Sequence, residues 1–179
     1  ATADLRYRLE KNNRPPKRID SALELFDCIT CDKCIPVCPN HANFRLRVDP
    51  VELVGRVIRW DGESFIEESL QLISLTKKHQ IATFADFCNE CGNCDVFCPE
   101  EGGPYEIKPL FFGNGNDWRE FSHQDGFWLP KSERGQTIFG RFDGREYRLS
   151  LGEVEVEFSG PGFVIEMATD GQEPHPVTV

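Results

Sequence analysis

All eight cysteines of the chain fall in two runs of identical internal spacing, Cys28-x2-Cys31-x2-Cys34-x3-Cys38-Pro39 and Cys88-x2-Cys91-x2-Cys94-x3-Cys98-Pro99. Every interval repeats at an offset of 60 residues, the mark of an internal duplication that builds a pseudo-symmetric pair of sites. Thiols this dense have few uses. Four disulfides are one, but three-residue spacing suits chelation better than cross-linking. The opening residues ATADLRYRLE are also charged where an export signal needs an apolar stretch. Two zinc ions are another, although zinc sites usually combine separated C-x2-C knuckles, not three near cysteines with one Cys-Pro. Iron–sulfur ligation is the third, and both quartets are complete for it.

The third use has a mechanical basis. The spacing C-x2-C-x2-C-x3-C-P is that of bacterial ferredoxins, whose thiolates hold [4Fe-4S] clusters. Three cysteines at three-residue intervals wrap a compact loop around one cluster, each sulfur reaching a different iron. The fourth, followed by Pro, is expected at the entry of a helix that points away, so that its sulfur faces the other site. In two-cluster ferredoxins this ligand is exchanged between motifs. The expected ligands are therefore Cys28, Cys31, Cys34 and Cys98 for cluster I, and Cys88, Cys91, Cys94 and Cys38 for cluster II. Such an exchange makes metal part of the fold. Pro39 and Pro99 suit a first helical turn, where a missing N–H costs nothing. Gly92 lets the backbone approach its cluster closely, whereas Asp32 stands at the equivalent place in the first motif. An inward carboxylate there lowers the potential of cluster I, an outward one is screened, and Lys33 is a candidate to neutralise it.

The chain has 179 residues and a formal charge of −10, from 20 basic and 30 acidic side chains. A surface of that sign repels a phosphate backbone and argues against nucleic-acid partners. No apolar run approaches the roughly 20 residues of a membrane span. With 39% hydrophobic residues and 14 Phe, the chain has enough to bury, so whole-chain disorder is disfavoured. The charge is uneven. The first 18 residues hold Arg6, Arg8, Lys11, Arg14, Lys17 and Arg18 against Asp4 and Glu10, a net +4 that leaves −14 for the remainder. The segment KNNRPPKR reads as an extended linker, so residues 1–19 form a basic arm, either solvated or docked on a neighbouring domain. The sequence opens at Ala1 and its sole methionine is Met167. A piece of a longer polypeptide is the expectation, removal of an initiator the alternative.

Between and around the motifs, Asn43–Val48 alternates as a half-buried strand does, and Gln80–Phe84 reads as a second strand leading into Cys88. The intervening residues 49–79 contain Phe65, Ile66, Leu70, Leu72 and Ile73 at spacings that predict an amphipathic helix over Glu63–Lys78, covering the core or docking on a partner. Ser21–Phe26 predicts a short helix capped by Ser21. Gly102-Gly103-Pro104 predicts a turn ending any helix begun at Pro99. The aromatics between 111 and 130 are expected to pack against the cluster region rather than form a cofactor box. From about 136 the pattern is β. Ile138–Phe142, Asp143-Gly144 and Arg145–Leu151 form a hairpin, and strands follow around Val154–Phe158 and Phe163–Met167, with DGQEPHPVTV fraying. His41 is close to Cys38 in sequence but is expected on the surface. No nucleophile–base pair, phosphate loop or dinucleotide fingerprint is present.

The run CNECGNCDVFCPEEGGPYEIKP resembles the C-terminal iron–sulfur region of large flavoproteins ascribed to selenate reductase, relatives of the glutamate synthase small subunit and of dihydropyrimidine dehydrogenase. CDKCIPVCPNHANFRLRV and SALELFDCITC resemble the first motif of that family and its approach segment, and the likeness covers roughly residues 20–128. The resemblance implies a flavin and nicotinamide nucleotide module ahead of this segment, with FAD and NAD(P)H on the missing body or a partner. Only the eight cysteines carry over, and the insert at 49–79 is longer than the linker expected for the family.

The expected class is α+β. It comprises the basic linker arm at 1–19, a duplicated ferredoxin-like two-cluster domain at 20–110 with a helical insert at 49–79, and an aromatic-rich segment with a small antiparallel β subdomain at 111–179. The expected function is electron transfer through two [4Fe-4S] clusters, with a flavoprotein domain or redox subunit as partner and no catalytic site in the chain itself. A cytoplasmic setting follows from the oxygen sensitivity of exposed clusters. Two liganded clusters add roughly four negative charges, so a basic docking face is expected on the partner. An independent soluble ferredoxin and a zinc-stabilised interaction module are the alternatives.

Overall fold

The computed structural model describes residues 21–132, 135–169 and 175–178; the basic arm lies outside them. Asn43–Arg47 is a strand (β1), followed by Val51–Trp60 (β2), Phe65–Leu75 (β3) and His79–Phe84 (β4). β1 pairs antiparallel with β4, Phe44 opposite Ala82, as the alternation predicts. β2 and β3 pair with each other as a two-stranded ribbon.

That ribbon overturns the helical insert. Leu70 and Leu72, like Ile73 and Leu75, lie two residues apart, and the facing sequence VELVGRVIRW is rich in β-branched residues. Periodicity alone does not separate helix from strand in so apolar a run; pairing decides, with Leu53 opposite Ile73 and Val54 opposite Leu72. The turn supplies the rest. Asp61 Oδ1 accepts hydrogen bonds from the backbone N–H groups of Glu63 (2.9 Å) and Ser64 (2.8 Å), and Gly62 takes the left-handed φ of 109°.

Three short helices follow: Asn93–Phe97 (α1), Pro104–Ile107 (α2) and Gly115–Glu120 (α3). Between and after them run the strands Leu110–Phe112 (β5), Gly126–Trp128 (β6), Gln136–Phe142 (β7), Arg145–Leu151 (β8), Glu155–Gly160 (β9), Phe163–Ala168 (β10) and His175–Thr178 (β11). β5 lies parallel to β4 and β6 parallel to β5, after which every neighbour is antiparallel. One mixed sheet of nine strands results, in the order β1-β4-β5-β6-β7-β8-β9-β10-β11. With 44% strand against 12% helix, the α+β class is overturned in favour of a mostly β fold.

Other local expectations also change. Ser21–Phe26 is not a helix: Leu23 N–H donates to the Glu101 carbonyl (2.7 Å), Glu101 N–H donates to Ser21 (3.0 Å), and Ala22 bridges Glu101 in parallel. No helix starts at Pro39 or Pro99. Cys98 is extended (φ −67°, ψ 132°), as a residue before proline prefers. Pro104 instead opens α2 at its first turn. The expected fraying at the end is partly replaced by β11, which pairs with β10. The predicted hairpin at 138–151 is present, its turn carried by Asp143 (φ 51°) and Gly144 (φ 69°), the left-handed pair that a two-residue hairpin demands.

Aromatic rings join the cluster region to the later strands. Phe44 stacks on Phe84 at 4.2 Å, Phe111 bridges to Phe127 at 5.7 Å, and Phe127 meets Phe142 edge-on at 5.4 Å. Phe112 and Trp118 are buried together, edge to face. Arg141 is 1% exposed. It lies over the Trp118 ring at 3.9 Å and donates to the carbonyls of Trp118, Phe121 and Gln124 at and beyond the end of α3, and to the Glu146 carboxylate. Among the described residues no helix is long and apolar enough to cross a membrane.

Two outcomes follow from this packing. Arg141→Met leaves three carbonyls without their donor and is expected to cost about 3 kcal/mol, read as a lower urea midpoint; Arg141→Lys recovers only part, because an ammonium cannot reach three carbonyls as a guanidinium fork does. The ribbon, in contrast, projects: Leu53, Val54, Leu70 and Leu72 are all more than half exposed. Replacing residues 51–75 with a short Gly-Ser turn is expected to leave the thermal midpoint unchanged or raised, since a shorter loop costs less entropy. A clear drop would show that the ribbon supports the sheet.

Candidate metal centre

The eight cysteines reach two cavities. Cys28, Cys31, Cys34 and Cys98 line the first with Leu23 and Ile81. Cys38, Cys88, Cys91 and Cys94 line the second with Asn43 and Tyr105. The structure thus brings each quartet grouped by the spacing around one space, and in each the fourth cysteine comes from the other motif. No disulfide joins any of the eight. Cys28, Cys34 and Cys94 pack into one small core with Leu23 and Ile81, against which Cys98, Ile35, Val37 and Tyr105 lean. That core holds lining residues of both cavities, Cys28 and Cys34 of the first and Cys94 of the second.

The duplication is visible in the backbone. Thr30 (φ 48°) and Asp32 (φ 59°) are left-handed, and so are their partners 60 residues on, Glu90 (φ 53°) and Gly92 (φ 74°). Three of these four are not glycine, and each is held at an energetic cost. Left-handed residues set among right-handed ones turn successive N–H groups to one side, which makes a concavity for an anion. Four thiols facing one small, largely apolar space, in each of two cavities, form a donor set suited to an anionic metal–sulfur group, and a [4Fe-4S] cluster fits it.

Burial acts on two of the thiols. It pushes Cys34 up to about 12, with Cys31 and Cys28 adding repulsion, and it raises Cys88 as well. Thiols so placed hold their protons in neutral water unless a metal displaces them. Among the described residues, no three His, Cys, Asp or Glu side chains are grouped closely enough to hold a single metal ion.

A polar frame fixes the first loop. Asn43 Nδ2 donates to the Cys34 carbonyl (3.0 Å) while its Oδ1 accepts from Thr83 Oγ1 (2.8 Å), all buried. Gln80, fully buried, accepts from Asp27 N–H (2.6 Å) and donates to its carboxylate (2.7 Å). The Thr76 N–H bond first, then those from Gln80, Thr76 Oγ1 and Lys77, hold the Asp27 carboxyl below its usual range in spite of desolvation. Asp32 is partnered by Arg45 (2.6 Å) and His79 (2.9 Å), not by Lys33. Desolvation pulls its carboxyl up, but those two bonds hold it low overall. At the second cavity, Ala42 N–H donates to Cys38 Sγ at 3.3 Å. His41 is exposed, as expected.

Lys108 escaped the sequence reading. It is 2% exposed and lines the first cavity, with Nζ donating to the carbonyls of Glu24 (2.5 Å) and Leu25 (3.3 Å). The signal was a lone lysine in an otherwise apolar IKPLFF run. Asn43 and Gln80, polar residues on inward positions of β1 and β4, were similarly legible.

Residues 24–101 match the family described as the 4Fe-4S dicluster domain. Over 103 residues, 57% of the chain, the sequence is 30% identical to the "Putative oxidoreductase YgfK" of Escherichia coli K12, and equally so to the protein of that name in Escherichia coli O157:H7. The match spans 8% of the length of each of these curated relatives. No solved structure matches the chain. Spacing and comparisons together support an iron–sulfur, ferredoxin-like region at residues 24–101, in a chain similar to part of a named oxidoreductase.

Proposed function

We propose that the chain is the electron-transfer part of a flavin- and NAD(P)H-linked oxidoreductase, with Cys28, Cys31, Cys34 and Cys98 holding cluster I and Cys88, Cys91, Cys94 and Cys38 holding cluster II. The observation that carries this reading is the sorting of eight thiols into two quartets, each completed by the other motif. Each [4Fe-4S] cluster supplies reversible uptake of one electron. The chain supplies the rest. Ala42 donates its N–H to Cys38 Sγ, the apolar core excludes water, and the frame of Asn43, Thr83 and Gln80 keeps the first loop from shifting as charge changes. Cys34 of the first cavity and Cys94 of the second belong to one small packed core, which favours passage of an electron from one site to the other.

The flavin link rests on two supports: the resemblance of CNECGNCDVFCPEEGGPYEIKP to flavoprotein termini, and the fact that the matched relatives are named oxidoreductase and are far longer than the match. FAD and NAD(P)H belong, on this reading, to a flavoprotein domain or redox subunit that meets the acidic chain through a basic face. The domain limits that go with it are 1–19, 20–110 and 111–179.

Anaerobic purification is expected to give a brown protein with about eight iron and eight sulfide per chain, whose reduced form shows two interacting spins by EPR. A colourless protein containing zinc would overturn the proposal. The ligand exchange has its own test. Cys98→Ser is expected to disturb the same cluster as Cys31→Ser, and Cys38→Ser the same cluster as Cys91→Ser. If Cys98→Ser instead altered the spectrum that Cys91→Ser alters, each motif would hold its own four ligands.

A further inference from the structure

The two cavities differ in charge. Beyond its thiols, the second has no charged side chain among its described lining residues. The first has three: Asp32, Glu100 and Lys108. Asp32 is matched by Arg45 at 2.6 Å. Glu100 is partly exposed and accepts a hydrogen bond from Ile29 N–H at 3.3 Å, so water and salt screen it. Lys108 is 2% exposed, and its ammonium is tied to two carbonyls, neutral partners that leave its charge uncancelled. No carboxylate pairs with it among the ion pairs of the described residues. The other buried cation, Arg141, belongs to α3 and Glu146.

Lys108 cannot swing away. It closes α2, its N–H bonded to the Pro104 carbonyl at 3.0 Å, and it enters β5 through Pro109. A fixed, poorly screened positive charge in the wall of a redox site favours the more negative oxidation state there.

We infer that Lys108 is the counter-cation of the first site, and that it sets the potential of that site above the second. An electron delivered by any one-electron donor to the fully oxidised chain then rests at the Cys28, Cys31, Cys34 and Cys98 site, and the second site fills afterwards. Lys108 is a positioning residue, acting through its field alone. The inference rests on the two-cluster reading above and adds the internal order of filling.

The test is an EPR-monitored redox titration of the iron-loaded protein, with the first site identified by Cys31→Ser. In the unsubstituted protein the first site is expected to reduce at the higher potential. Lys108→Gln keeps a donor for the carbonyls and removes the charge. It is expected to lower the reduction equilibrium constant of the first site at least tenfold, 59 mV for one electron, and to move the second site much less. Lys108→Met should do the same, and Lys108→Arg should keep the original order. Equal movement of both sites, no movement in either neutral variant, a shift in Lys108→Arg as large as in Lys108→Gln, or a first site that is already the lower would each overturn the inference. So would loss of the first cluster from both neutral variants, which would make Lys108 a structural clasp. Failure of the unsubstituted protein to bind iron and sulfide would instead remove the underlying reading.

Discussion

Desolvation of sulfur is the constraint on which the structure turns. Cys28, Cys34 and Cys94 are buried with Leu23 and Ile81 in the small core between the two cavities. A thiol is a weak donor with little to gain there, and burial pushes Cys34 up to about 12. A side chain with so little use for its proton is matched to a metal that replaces it. The loops around the core carry the corresponding cost, with left-handed backbone at Thr30, Asp32 and Glu90 where only Gly92 adopts it freely.

How much of this could be read in advance depended on whether a residue's role is local. The cysteine spacing is local, and the eight residues it singles out line the two cavities. The hairpin at Asp143-Gly144 is local too, because two left-handed residues between alternating strands leave little choice. β1 and β4 were legible from alternation. The insert was not, since its apolar residues satisfy a helical and an extended template about equally, and only the facing strand distinguishes them. Ser21–Phe26 carries a helix signal that loses to a partner 80 residues away, Glu101. The charge balance at the first loop was misread for the same reason: Lys33 is adjacent to Asp32 in sequence, but Arg45 and His79, on strands, reach it.

The sheet links the metal region to the strands that follow it. β4, whose Ile81 and Gln80 support the first loop, is hydrogen-bonded to β5, and pairing continues without interruption to β11. The rings of Phe44, Phe84, Phe111, Phe127 and Phe142 follow the same line. The strands after 110 therefore act as a buttress for β4, and through it for the loop that carries Cys28, Cys31 and Cys34.

The bridge between Ala22 and Glu101 brings the polypeptide back to where it set out. A module whose entrance and exit coincide can be spliced into a surface turn of a host without stretching it. The stretch enclosed by that bridge is nearly the stretch, 24–101, that matches the iron–sulfur family, so the same two hydrogen bonds that brace the first cavity also hold the two ends of that stretch together.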